Sequence, residues 1–172
     1  MKKKIALALT LVICMAGLAA CGDKKDDKKS DNAKTESTTQ EEQKDFECSE
    51  LADKLKAEGS FTDLQALDSK IAVERLYGLD PEQIEASAFY SNSNATAEDV
   101  AVIKVKDESY ASTVKKAFED RVAEQTASFK DYNAAEVPKL EDAVIKTSGK
   151  YVVLVVSGDS AKAKDIISGY IK

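Results

Sequence analysis

The chain has 172 residues, 25 of them basic and 31 acidic, for a formal charge of −6, with no histidine and three cysteines. Without histidine there is no Ser-His-Asp or Cys-His nucleophile activation, nor the usual zinc sites, which draw on His or several Cys. The acidic balance argues against a nucleic-acid partner, because phosphate binding needs a basic footprint. Carboxylate chemistry and oxygen-ligand cations survive these exclusions.

The chain opens with Lys2-Lys3-Lys4, continues through an apolar stretch from Ile5 to Gly17, and reaches Leu18-Ala19-Ala20-Cys21. A basic start, a short apolar run and small residues before a cut describe a secretory signal. The run is too short for a transmembrane helix, which needs about 20 apolar residues. Leu-Ala-Ala-Cys resembles the lipobox of bacterial lipoproteins. That resemblance implies lipidation (palmitate among the acyl groups) at Cys21 and cleavage after Ala20, so residues 1–20 form the signal peptide. It also implies a chain held at the cell membrane by lipid, on the extracytoplasmic face. Two acyl chains carry on the order of 30 methylenes at about 0.8 kcal/mol each, which makes stable anchoring. The alternative is a cleaved, freely secreted chain, since small residues also precede an ordinary cut.

Residues 21–45 contain no large apolar side chain before the domain begins, and read as a charged, disordered tether. As a flexible coil it spans roughly 25 Å, at about 5–6 Å times the square root of its length. Without Lys2, Lys3 and Lys4 the chain carries 22 basic against 31 acidic residues, or −9. Anionic headgroups repel such a body, so the lipid has to hold it. Cys14 leaves with the signal and Cys21 is taken by lipid. Cys48 is then the one thiol left, and no internal disulfide forms.

Residues 46–172 suffice for one domain, which at this size buries roughly two-thirds of its unfolded surface. Cys48, Leu51, Ala52 and Leu55 form a helical stripe over residues 47–58, ending at Gly59. On that stripe Cys48 reads as a small buried hydrophobe, with a reactive thiol as the sharper alternative. Residues 61–68 carry no clear signal, and a short helical turn follows over 69–77 with Gly78 as its stop. Ile84, Ala86, Ala88 and Tyr90 alternate as a half-buried strand, and Val100 to Val105 is a β-branched run. The polar loop between them carries Asn94-Ala95-Thr96, a glycosylation pattern that here marks an exposed loop.

Residues 109–131 make the strongest helix, with Val114, Phe118, Arg121, Val122, Gln125 and Phe129 on one face. A second hairpin runs through 143–146, a turn at 147–149, and Tyr151 to Val156. That last run is apolar on both faces, as in a central, doubly covered strand. Asp159 or Ser160 then caps a closing helix. The expected fold is α+β: an antiparallel sheet of about four strands in two ββα-like units, packed with amphipathic helices, plus an N-terminal helix.

Three stretches resemble a family of small Gram-positive-type lipoproteins known as domain of unknown function 4358. They are residues 97–107 (Ala-Glu-Asp-Val-Ala-Val-Ile-Lys-Val-Lys-Asp), 129–132 (Phe-Lys-Asp-Tyr) and 149–157 (Gly-Lys-Tyr-Val-Val-Leu-Val-Val-Ser). The likeness covers most of the chain after the tether. It implies a fold and carries over no active-site residue.

Four constellations bear on chemistry. Ser112-Thr113-Val114-Lys115 and Lys146-Thr147-Ser148-Gly149 match pieces of the penicillin-recognising motifs. The Ser-x-Asn element is missing, however, and about 125 residues cannot house that fold. Ser157-Gly158-Asp159-Ser160 offers either an anion site or, more simply, a helix cap. Glu98 with Asp99, and Asp107 with Glu108, are acidic pairs for acid/base work or calcium, against solubility and turn formation. Of the tyrosines, Tyr90 beside the polar loop and Tyr132 at a helix end are the binding candidates. Tyr110, Tyr151 and Tyr170 read as packing.

The functional expectation is a non-catalytic module that binds or positions an envelope protein or cell-wall partner. No catalytic residue, metal ligand or cofactor is assigned. The rival is a carboxylate-dependent hydrolase of wall polymer or peptide, which requires an acidic pair converging in a cleft with a desolvated member. Solute capture for a transporter is a third reading, for which the domain is small. An uncovered face on the Tyr151 strand would mark a docking surface. Full cover moves attention to the loops.

Overall fold

Two strands with no polar face sit side by side at the centre of the sheet. In the computed structural model, which describes residues 44–92 and 96–172, β3 (Asp99–Val105) and β5 (Tyr151–Val156) pair antiparallel, with Asp99 opposite Val156 and Lys104 opposite Tyr151. β2 (Ile84–Ser91) flanks β3, and β4 (Val144–Ser148) flanks β5. β1 (Gln65–Ala66) completes a five-stranded antiparallel sheet in the order β1-β2-β3-β5-β4. The described residues form one compact unit. The signal segment, Cys21, the tether as far as residue 43 and Asn94 lie outside the described residues.

Because side chains alternate across a strand, each central strand feeds two cores. Ala101, Ile103 and Val105 of β3 join Val152, Leu154 and Val156 of β5 on the first face. Val114 and Phe118 of α3 (Ala111–Tyr132) cover them, together with Leu140 of α4 (Val137–Glu141) and Val73 and Tyr77 from the segment before β2. Val100, Val102, Val153 and Val155 form the second face, under Leu51 and Leu55 of α1 (Cys48–Glu58) and Ile166 and Ile167 of α5 (Ser160–Ser168). The Tyr151 strand is therefore covered on both sides.

The expected α+β order is present, with informative differences. α2 (Ser69–Ile71) passes into a π-helical turn, Ala72–Leu76, closed by the Tyr77 N–H donating to the Ala72 carbonyl at 3.1 Å. β1 lies in the stretch that carried no signal, because two residues are too few to show a period. β4 extends through Ser148, and the tight turn leaves Gly149 at φ 53°, a left-handed position suited to glycine. α4 was not expected. It is five residues long, with Pro138 in its first turn, where the missing N–H costs nothing. The two ββα units send their helices to opposite faces, since α3 covers the first and α5 the second. A two-fold axis relating antiparallel β3 and β5 would keep both helices on one face. The repeated order is thus not a rotated duplication.

The start of the domain is fastened to the second face. The Phe46 ring stacks on Tyr151 at 4.1 Å and meets Tyr170 edge-on at 5.2 Å. The Tyr151 hydroxyl accepts from the Phe46 N–H at 3.1 Å and bonds the Asp45 carboxylate. Lys104 Nζ bridges Asp45 and Glu85, 2.8 Å from each. Among the described residues both cores draw on Phe46 and later positions, so residues 44–172 hold every core contact that the structure describes.

Two outcomes follow. Leu154→Ala opens a cavity at a fully buried site, and urea unfolding should show a loss of about 2–5 kcal/mol. Tyr151→Phe removes one hydroxyl from the clasp and should cost about 1 kcal/mol. Amide exchange at residues 45–47 should then accelerate while β5 stays protected.

Candidate functional site

The polar residues that begin β3 are buried. Solubility and turn formation were the plain expectation for Glu98 and Asp99, yet these side chains are 2 % and 0 % exposed. Asp107 and Glu108 are exposed, and Asp107 fulfils that expectation by accepting from the Ser109 N–H at 2.9 Å.

Neighbours on an extended chain point to opposite sides, and the two buried carboxylates take different partners. Asp99 faces the first core. Its Oδ2 lies 3.6 Å from Arg121 Nε, and the Tyr77 hydroxyl donates toward it from 3.4 Å. Glu98 accepts from the Thr62 N–H at 2.7 Å and from Lys139 Nζ at 3.0 Å. Lys139 also holds Glu136 at 3.0 Å, and Glu136 accepts from the Ala97 N–H at 2.9 Å. Each buried carboxylate is thus met by a cation from a covering helix: Arg121 from α3, Lys139 from α4.

The two environments drive the acids apart. Burial pushes the Asp99 carboxyl up to about 6, despite the nearby Arg121. Burial would also raise Glu98, but the Thr62 N–H and the Lys139 ammonium outweigh it and hold the group below its usual value. Tyr77 is held protonated by burial and then by the Asp99 charge, which fixes it as a donor. The Tyr77 ring is braced by Phe89 at 5.6 Å and by Phe118 at 5.0 Å.

In front of Tyr77 and Arg121 lies a cleft of about 630 Å³, walled on one side by Leu76–Leu79 and on the other by α3. Gly78, at φ 61°, makes the turn on the near wall. Lys116, Asp120 and Glu124 bring charge to the far wall. Lys116 and Asp120 are paired with each other at 2.7 Å, one helical turn apart. Among the described residues Glu124 has no hydrogen-bond or ion-pair partner. Among the described residues Arg121 Nε is buried with no acceptor within hydrogen-bond distance, and the Gln125 Oε1 one turn further on is buried without a donor.

The other sequence candidates scatter. Tyr90 is half-buried against the second core, bonds Asp53, and carries Lys56 over its ring at 4.5 Å. Tyr132 is 72 % exposed at the end of α3, touching Phe129 at 6.2 Å. Neither lines the cleft. Ser112 bonds the Ser109 carbonyl and Lys115 pairs with Glu119, so the Ser-x-x-Lys match is helix surface. Asp159 caps α5 by accepting from the Lys162 N–H at 2.9 Å. The Cys48 thiol is buried, and burial pushes it up to about 12, as befits a packing residue. Among the described residues no three Cys, Asp or Glu groups gather closely enough to hold a metal ion. No described helix is long and apolar enough to cross a membrane.

Sequence reading passed over Arg121, Gln125, Tyr77 and Lys139. A signal was present for the first two, which interrupt the apolar stripe of α3. A charged residue at a core-facing position needs a buried counter-charge, and Asp99 supplies it.

The chain belongs to the family described as Domain of unknown function (DUF4358), whose model matches residues 57–157. That span runs from the end of α1 through β5 and takes in Tyr77, Glu98, Asp99, Arg121 and Lys139. Comparison with curated proteins finds no match. Comparison with solved structures finds none either.

Asp99 makes a clean pH test. Its folded value near 6 lies above the unfolded 3.8, so the unfolded chain releases this proton first. Stability from this group declines as pH rises through that window, and the loss is complete above about pH 6. The stability difference between wild type and Asp99→Asn should therefore fall by about 3 kcal/mol between roughly pH 3 and 7. A flat difference across that range would contradict the assignment.

Proposed function

We propose that the chain is a lipid-anchored envelope lipoprotein whose domain binds or positions a partner without catalysis. Lipid on Cys21 holds the mature chain at the cell membrane, on its extracytoplasmic face. The polar tether then gives the domain a reach of roughly 25 Å. The partner is an envelope protein or a cell-wall component within that reach. Support for the anchor comes from the basic, apolar and Leu-Ala-Ala-Cys succession and from the polar stretch behind it.

The observation that carries the non-catalytic part is the divergence of Glu98 and Asp99. They turn to different partners, each beside its own cation, so these two do not converge as an acid/base pair. The hydrolase reading keeps one argument, the desolvated Asp99 behind a cleft. That carboxylate is fully enclosed by Tyr77 and Arg121, which favours binding over bond cleavage.

Mass spectrometry of the native product should give a mature N-terminus at Cys21 carrying diacylglyceryl-type mass. An unmodified chain shed into the medium would contradict the anchor. Immobilised residues 44–172 should retain a specific protein or glycan from envelope extract. Recovery of none would contradict the binding role, and turnover of a wall fragment would favour the rival.

A further inference from the structure

The cleft between Leu76–Leu79 and α3 has the size of a ligand pocket, since its roughly 630 Å³ falls in the usual range of about 300–1,000 Å³. Its charges are unequally committed. Lys116 and Asp120 satisfy each other. Arg121 and Glu124, three residues apart on the same helix face, do not pair with each other. Arg121 leans on Asp99 from behind at 3.6 Å, too long for a full hydrogen bond, and its Nε lacks an acceptor. Its side chain is 20 % exposed and lines the cleft, so part of the guanidinium is open to an incoming group.

The geometry points to this cleft as a binding site for a small zwitterionic carboxylate, either a free amino acid or a dipeptide, held by Arg121 and Glu124. The proposal deepens the binding-module reading and rests on it. A carboxylate is the planar partner that a guanidinium fork accepts with two parallel hydrogen bonds. The ligand's ammonium would then lie one helical step along, against the uncommitted Glu124. Ser112 and Thr113 add neutral hydroxyls further up the wall. A phosphate dianion fits poorly, because it meets Asp120 and Glu124 in the cleft and Asp99 behind it. Tyr77 lines the cleft, and its ring is fixed edge-on against Phe118 of the first core at 5.0 Å.

Isothermal titration of residues 44–172 with L-alanine, dialanine, N-acetyl-dialanine, dialanine amide and inorganic phosphate tests this. Saturable heat is expected with alanine or dialanine, and which of the two binds more tightly separates the free amino acid from the dipeptide. Removing either charge, by acetylation or amidation, should weaken binding about tenfold or more. Arg121→Lys keeps the charge opposite Asp99 and should leave the melting temperature near wild type while weakening the preferred ligand about tenfold. Glu124→Gln, at an exposed position, should weaken dialanine but leave N-acetyl-dialanine unchanged.

No saturable heat with alanine or dialanine would overturn the proposal. So would phosphate binding as tightly as either, or an Arg121→Lys variant that binds normally. Such a failure leaves an envelope partner captured on another surface untouched. Loss of the Cys21 lipid or of any partner removes the broader reading and not the measured heat.

Discussion

A strand pair that is apolar on both sides cannot face water, and the rest of the domain answers to that. β3 and β5 present Ala, Ile, Leu and Val to the first core, and Val with Tyr151 to the second. Antiparallel sheets commonly leave one face wet, but this one needs a helical layer on each. α1 and α5 close the second face. The long α3, helped by α4 and the segment before β2, closes the first. The faces of β3 and β5 are consequently spent on the fold.

The same constraint explains the buried charges. Where β3 begins, the apolar alternation runs out, but the covering layers do not. Glu98 and Asp99 are caught beneath them. Isolated buried carboxylates are costly, so each is met by a cation and by hydrogen-bond donors. Arg121 and Lys139 thereby tie α3 and α4 to the same end of the sheet. The pairing on the Asp99 side is the looser one, with a long contact and a raised proton affinity. It is also the side that opens on a cleft. At the other end of β3, Lys104 takes part in the clasp around Asp45 and Phe46.

Much of the fold was legible in the sequence because the elements are long and strongly periodic. The stripe of α1, the alternation of β2, the unbroken run of β5 and the Asp159 cap were all readable from local pattern. β1 and α4 were not, since two and five residues are shorter than the periods that reveal them. The site was less legible for a different reason. Its members come from the segment before β2, from β3 and from α3, and no local pattern joins Tyr77, Asp99 and Arg121. Glu98-Asp99 looked like one acidic pair because adjacency in sequence suggests nearness. An extended backbone instead separates adjacent side chains to different partners. Tyr90 and Tyr132 were chosen for their loop and helix-end positions, and both lie away from the cleft.

Hydrogen exchange measured residue by residue tests the double cover most directly. If both faces of the central pair are sealed, the amides of β3 and β5 exchange only when the whole domain opens. They should then be the slowest in the chain, at one common rate. If β5 amides exchanged faster than those of β2, or at a rate set by the departure of a single helix, the second face would be an open surface and the account would be wrong.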